Sequence, residues 1–454
     1  LIEDERALGR RVPWAFPGGR LTIHPHYGYG ENAWYDRDAG ALCFLSFDAA
    51  DDGRRVHTCL SHDIVVHELG HAVLDGMKPL YNEVDGPDVA GFHEYFGDAL
   101  AMSSALTMRE VLLAVVRDRP QRLSARNVVS DIALEFGTAA NGEGALRSGA
   151  NTKTMRDVRG SWEEHDYSEV LSGVFNDVLV ALYEAEIPRA LEARRKRTID
   201  GQVAMHALIK AARQTSRMML RAIDYLPPAG MTYLDYARAV HRADEVAYPV
   251  DDRGYRRIVA DAFRRRGVVR SRKDAAASVR LQNDAFRAYD VDRLAGTKTD
   301  AYVFLDANRE TLGIPRDVNF AVTGLHRTRK RGPSGYYSPR EIVIEYVWDE
   351  EVALDGRRFG GLNGATFTLW CGGTLVFDAD GNVLHSVVRA GDAARRKRLR
   401  AYVAYLVEEG LLGDDEHELS LPAARRTHRL TATVERGCVR VVRNPALRHE
   451  GRRR

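Results

Sequence analysis

The chain reads as an α+β protein of more than one unit: strand and loop first, a long helical middle, then a second α+β unit. Three textures predict this. Residues 1 to 60 are rich in Gly, Tyr and Asp, with short apolar runs such as Ala41–Phe47. From Ser61 onward, apolar residues recur at spacings of three and four, the period of a helix with one buried face. Past residue 300, alternation returns in Glu341–Trp348, the period of a half-buried strand. With 454 residues, 44% of them apolar, the chain can bury a large core and divide into two to four units.

Each element has its own signal. Ile64, Val65, Leu69, Ala72 and Val73 mark one helix, and a second is predicted from Val89 to about Val116, ending before Pro120. The polar, Gly-rich stretch Gly137–Gly160 reads as a loop. Helices are then expected over Ser168–Ala185, Gln202–Tyr225, Tyr233–Ala247 and Gly254–Arg266. Val269–Asp300 is charged and poor in large apolar residues, a linker with room for one short helix. Strands follow at Glu341–Trp348, Ala365–Trp370, Gly373–Phe377 and Asn382–Val388, the last two joined by the hairpin signal Asp380-Gly381. A helix over Ala393–Glu409 closes the unit. The division is therefore 1–120 (an α/β lobe), 121–268 (a helical lobe), 269–300 (linker) and 301–454 (an α+β domain of unassigned role).

Charge narrows the partners. Lys+Arg (66) and Asp+Glu (64) nearly cancel, so no global field points to nucleic acid. Apolar stretches such as Val170–Tyr183 are short and broken by charge, so no membrane span is expected. The first residue is Leu with no basic-then-apolar leader after it, which leaves cytosolic and leader-processed forms open and favours the former. Cys43, Cys59, Cys371 and Cys438 lack metal spacing; buried thiols are preferred to a Cys43–Cys59 disulfide.

The chemistry is concentrated in His67-Glu68-Leu69-Gly70-His71. Helix positions i and i+4 lie on one face, so His67 and His71 would present two imidazoles to one ion, with Glu68 placed to hold a water. With 15 histidines in the chain, a chance match is on the order of a few per cent. A metzincin would need Gly at 74 and His at 77; those positions hold Leu74 and Met77. The other common solution is a Glu on the next helix with an Asp one turn later, here Glu94 and Asp98. Glu94 would complete a His₂Glu zinc site with an open position, and Asp98 would fix the tautomer of a ligand histidine.

The run Asp63–Val73 resembles the active-site helix of the thermolysin-like gluzincins. The resemblance covers about Pro25–Val268, including the late pattern Tyr233–Ala239 through Asp261-Ala262-Phe263. It implies a two-lobed zincin fold, one zinc ion held by His67, His71 and Glu94, Asp98 behind a histidine, and Glu68 as general base. Asn32-Ala33-Trp34-Tyr35 resembles the edge strand along which such enzymes lay substrate, Asn32 and Ala33 bonding its main chain as an added strand. Tyr81, in Leu80-Tyr81-Asn82-Glu83, would donate to the oxyanion. His165, in His165-Asp166-Tyr167-Ser168-Glu169-Val170, resembles the imidazolium of the fungalysin branch. Leu146-Arg147-Ser148 resembles the specificity pocket, with Arg147 on a substrate carbonyl and Leu146 lining the apolar wall.

The departures are as informative. The carboxylate expected eleven residues after Glu94 falls at Ala105, so the double calcium site is doubtful although Asp63 is retained. The carboxylate that orients the histidine would fall at Gly160, with Asp157, Glu163 and Glu164 as substitutes. The activity implied is hydrolysis of peptide or protein substrates. An aminopeptidase would carry a Gly-x-Met-Glu-Asn segment, absent here; a catalytically silent, zinc-stabilised binding module is the alternative outside enzymes. In the C-terminal unit, which has room for a protein partner, the basic runs His326–Arg331 and Arg395–Arg398 read as solvated loops and helix faces.

Overall fold

A computed structural model describes residues 2–50, 52–117, 120–123, 126–141, 144–277, 286, 289–330, 337–413 and 430–444. Arg331 and much of 278–288 from the expected linker lie outside them. The architecture is mixed helix and open sheet, an α+β protein. It begins with helix α1 (Ile2–Leu8), which the sequence reading missed. Strands β1 (Thr22–Tyr29), β2 (Ala33–Asp36), β3 (Ala41–Asp48) and β4 (Arg55–His57) form a small sheet in which β3 pairs with the other three. Strand β2 pairs antiparallel with β3, Ala33 opposite Phe44, and is the outer strand on its side.

Helix α2 (His62–Met77) packs on this sheet through Ala72 against Ala33, Tyr35, Leu42 and Phe44. A buried tie locks the two: the Tyr35 hydroxyl and Arg37 both donate to Asp75. The single long helix expected next is instead α3 (Pro87–Ala105) and α4 (Arg109–Arg117), bent by 89°. Leu106 and Met102 are both buried at the bend, so packing rather than a breaker residue turns the chain. Next come β5 (Asp131–Ile132) and α5 (Leu134–Asn141), whose end runs into the expected loop Gly137–Gly160, and that loop holds β6 (Arg147–Ser148), paired with β5. Helices α6 (Glu164–Arg194), α7 (Gly201–Arg221), α8 (Tyr233–Ala247) and α9 (Tyr255–Arg265) follow. They share one core with α2 and α3, built on residues such as Val73, Phe92, Val174, Leu208 and Tyr236. No single helix among the described residues is long and apolar enough to cross a membrane.

Short helices α10 (Arg272–Ala276), α11 (Val291–Leu294), α12 (Lys298–Ala307) and α13 (Arg309–Leu312) lead to a second core. Within the expected linker, Ala275 packs into the first core and Val291 and Leu294 into the second. The second core belongs to a sheet of β7 (Ala321–Thr328), β8 (Glu341–Ala353), β9 (Thr366–Asp378), β10 (Val383–Arg389), β11 (Leu412–Gly413), β12 (Leu430–Glu435) and β13 (Cys438–Arg443), and α14 (Ala393–Glu408) packs on it. The two strands expected around Gly372-Gly373 are one 13-residue strand, β9, running antiparallel to β8 throughout. The Asp380-Gly381 hairpin joins β9 to β10, with Gly381 at φ +81°. All four cysteines are free, and Cys438 is exposed.

The two cores meet along a polar seam. The Lys78 ammonium, fully buried, bonds Glu345 of β8 and the Leu226 carbonyl. Lys330 bonds Glu341 at 2.7 Å, and Tyr225 donates to the same carboxylate. Three successive carbonyls are satisfied here: Tyr225 O by His385 Nε2, Leu226 O by Lys78 and Thr374, Pro227 O by Tyr81. A buried carbonyl without a donor is costly, so this segment depends on side chains from both units.

Candidate metal centre

Helices α2 and α3 cross where Gly70 faces Gly97; a Cβ on Gly70 would stand 2.7 Å from Gly97 Cα. That close approach brings the 67–71 face of one helix onto the 94–98 face of the other. His67, Glu68 and His71 are buried, with potential ligand atoms within 4.8 Å of one another. His67 Nε2 is 3.4 Å from Glu94 Oε2, and His71 Nε2 is 3.6 Å from Glu94 Oε1. These buried His and Glu groups could hold a metal ion: each histidine approaches one oxygen of the Glu94 carboxylate.

The surroundings tune this donor set. His67 Nδ1 lies 2.9 Å from Asp98 Oδ1. An ionised carboxylate only accepts, so Nδ1 carries a proton toward Asp98, and Nε2 is the nitrogen that faces Glu94. Burial and Arg147 push the His67 imidazole down, but hydrogen bonds to Asp98 and Glu94 outweigh them and raise it to about 9. Burial works against the Asp98 charge as well, yet Arg147 and His67 hold it below the ordinary carboxylate range.

Arg147, from β6, is turned inward: it donates to Asp98 at 2.9 Å and lies 3.8 Å from Glu94. It therefore holds carboxylates in this structure, whereas the sequence reading gave it a substrate carbonyl. Its neighbour Leu146 is 41% exposed, free to line a wall.

His165 is set by the head of α6, which starts four residues before the expected Ser168 and so includes it in the first turn. Its Nε2 is 3.6 Å from Glu94 Oε2, and its Nδ1 is 2.9 Å from Glu163 Oε1. Of the three carboxylates left open, Glu163 is thus the one paired with His165. The His165 side chain is 21% exposed while His67, His71 and Glu94 are nearly closed off, so the centre opens on the His165 side. Glu94, Glu164 and His165 form a further cluster of potential ligand atoms within 4.8 Å.

Other expected residues lie elsewhere. Tyr81 is buried beside Phe92, its hydroxyl donating 2.7 Å to Pro227 O; the proton assigned to an oxyanion is committed to the seam. Ala33 lies on the outer strand, but its N–H is taken by the Asn32 side chain at 2.8 Å, and the Asn32 carbonyl faces β3. Asp63 accepts from Ala133 N. Two participants had not been anticipated. His93 Nδ1 lies 2.8 Å from His71 Nδ1, and its only sequence signal is adjacency to Glu94. Ser172 donates to Asp98 at 3.2 Å, a role that nothing in its local sequence announces. No family model and no curated protein matches this chain.

Proposed function

We propose that the protein is a zinc-dependent endopeptidase with a thermolysin-like, two-lobed arrangement about the centre. The observation that carries this is the convergence of His67 Nε2 and His71 Nε2 on the Glu94 carboxylate, at 3.4 and 3.6 Å, with Glu68 beside them. A structural zinc site needs ligands only; Glu68 and a half-open His165 are additional groups suited to acid–base work. Zinc bound by these residues would supply Lewis-acid polarisation of a carbonyl and would acidify water.

The chain's own groups do the rest. Glu68, 2% exposed, takes the proton of the attacking water and passes it to the departing amine. His165 faces the opening. With Nδ1–H held by Glu163, its Nε2 has a proton to donate when the ring is charged, and a developing oxyanion is the group it would meet. Arg147 restrains Asp98 and, through it, the orientation of His67. An extended substrate would run along the outer edge of β2; with the Ala33 amide engaged by Asn32, other backbone groups of the strand would form the contacts.

The test is Glu68→Gln. Zinc content should stay at one equivalent while cleavage of a blocked peptide falls at least ~100-fold. Full activity in this variant would sink the assignment. Cleavage restricted to peptides with a free amino terminus would indicate an aminopeptidase, and zinc without any hydrolysis a binding module.

A further inference from the structure

The basic run of α14 does not face solvent as a patch. Arg395 donates to Asp85 at 2.7 Å, and Arg398 pairs with Asp88 and bonds Tyr167. Further along, Tyr402 and Tyr405 stack on Trp162 at ring separations of 5.7 and 6.3 Å. Positions 395, 398, 402 and 405 are spaced three, four and three apart, so they form one face of the helix.

What this face touches is specific. Asp85 and Asp88 flank the start of α3, the helix that carries Glu94 and Asp98. Trp162 and Tyr167 flank the start of α6, which carries His165, and Trp162 immediately precedes the Glu163 that holds His165 Nδ1. The two helix heads already touch: a Cβ on Gly91 would meet Tyr167 Cβ at 2.6 Å and Glu164 O at 2.9 Å. Helix α14 closes a triangle over that contact, gripping one head by charge and the other by stacking.

We propose that α14 is a positioning brace: the C-terminal unit sets where Glu163 and His165 stand relative to Glu94. This rests on the reading of the centre above and gives the C-terminal unit a part in the chemistry without any of its residues touching substrate. Trp162, Arg398, Tyr402 and Tyr405 are positioning residues.

The experiment uses the full chain, loaded with zinc, and the variants Trp162→Ala, Trp162→Phe and Arg398→Gln. Three quantities are read: zinc content, kcat and KM on a blocked peptide, and the His165 Cε1–H resonance in protein with ¹³C-labelled histidine. For Trp162→Ala, zinc should stay at one equivalent and the resonance should move. Its kcat should fall ~10- to 100-fold with KM nearly unchanged, since misplacement of a group by about 1 Å costs this much. Trp162→Phe should restore both, and Arg398→Gln should give a smaller shift of the same kind. An unmoved resonance with unchanged kcat in Trp162→Ala would overturn the brace. If the unmodified protein cleaves no peptide, the peptidase reading falls, and the resonance alone decides: movement restored by Phe supports the brace, no movement refutes it.

Discussion

Gly97→Ala reaches the candidate metal centre from behind, without altering a proposed ligand. A Cβ at this position would stand 2.7 Å from Nδ1, 2.8 Å from Cε1 and 2.9 Å from Cγ of His67. Comfortable carbon contacts begin near ~3.5 Å, so the imidazole must retreat by about 0.7 Å. Metal–ligand distances tolerate only about 0.2 Å. The retreat therefore exceeds what zinc coordination absorbs, and it also disturbs the 2.9 Å contact of His67 with Asp98. Two effects compete in stability: overpacking costs about 1–3 kcal/mol, while exchanging Gly for Ala within a helix returns about 1 kcal/mol. Zinc affinity has no such offset and should fall ~10- to 100-fold, as when the groups that orient a ligand are lost. Competition against a chromophoric chelator measures the affinity, and a thermal melt in excess chelator measures the apoprotein. Gly201→Ala, where the added atom meets nothing within 4 Å, is the control. Wild-type zinc affinity in Gly97→Ala would refute the packing argument.

Two further perturbations probe the seam. Burial holds the His385 imidazole down at about 4, and its Nδ1 has no hydrogen-bond partner among the described residues. The unfolded chain takes up this proton near pH ~6.5 and the folded one only near 4. Stability should therefore be unaffected by this group above pH ~6.5 and should fall by about 1.4 kcal/mol per pH unit between ~6.5 and ~4. In denaturant titrations across that range, His385→Gln should flatten the slope; an unchanged slope would show that another group carries it. Lys78→Met leaves Glu345 buried without its cation and should cost about 3–5 kcal/mol. Adding Glu345→Leu should recover much of the loss in a double-mutant cycle, and additive losses would argue against a coupled pair.

Much of the centre could be read because its groups come in helical pairs. His67 with His71 and Glu94 with Asp98 are each four apart, and that spacing alone places each pair on one face. Helix α8 runs over the expected Tyr233–Ala247, and Thr232 and Asp235 cap its start reciprocally. The break between α3 and α4 was not, since Leu106-Thr107-Met108 contains no breaker and only tertiary packing turns the chain there. The partner of the Tyr81 hydroxyl was not legible because it is a backbone carbonyl 146 residues away. Arg395 and Arg398 looked solvated for a similar reason: Asp85 lies 310 residues before Arg395. Local periodicity reports which face is buried, and it is silent on what that face meets.

The Lys78–Glu345 pair spans 267 positions of chain, which has a consequence during synthesis. At about 5–20 residues per second, a ribosome needs roughly 13–53 s to travel from one partner to the other. Until the distal strands emerge, Lys78 can reach the Leu226 carbonyl and Tyr81 the Pro227 carbonyl, but the Lys78 charge lacks Glu345 and the Tyr225 carbonyl lacks His385. Helices α2 and α3 would thus emerge early, and the seam beside them would be completed late, once the distal sheet has been translated.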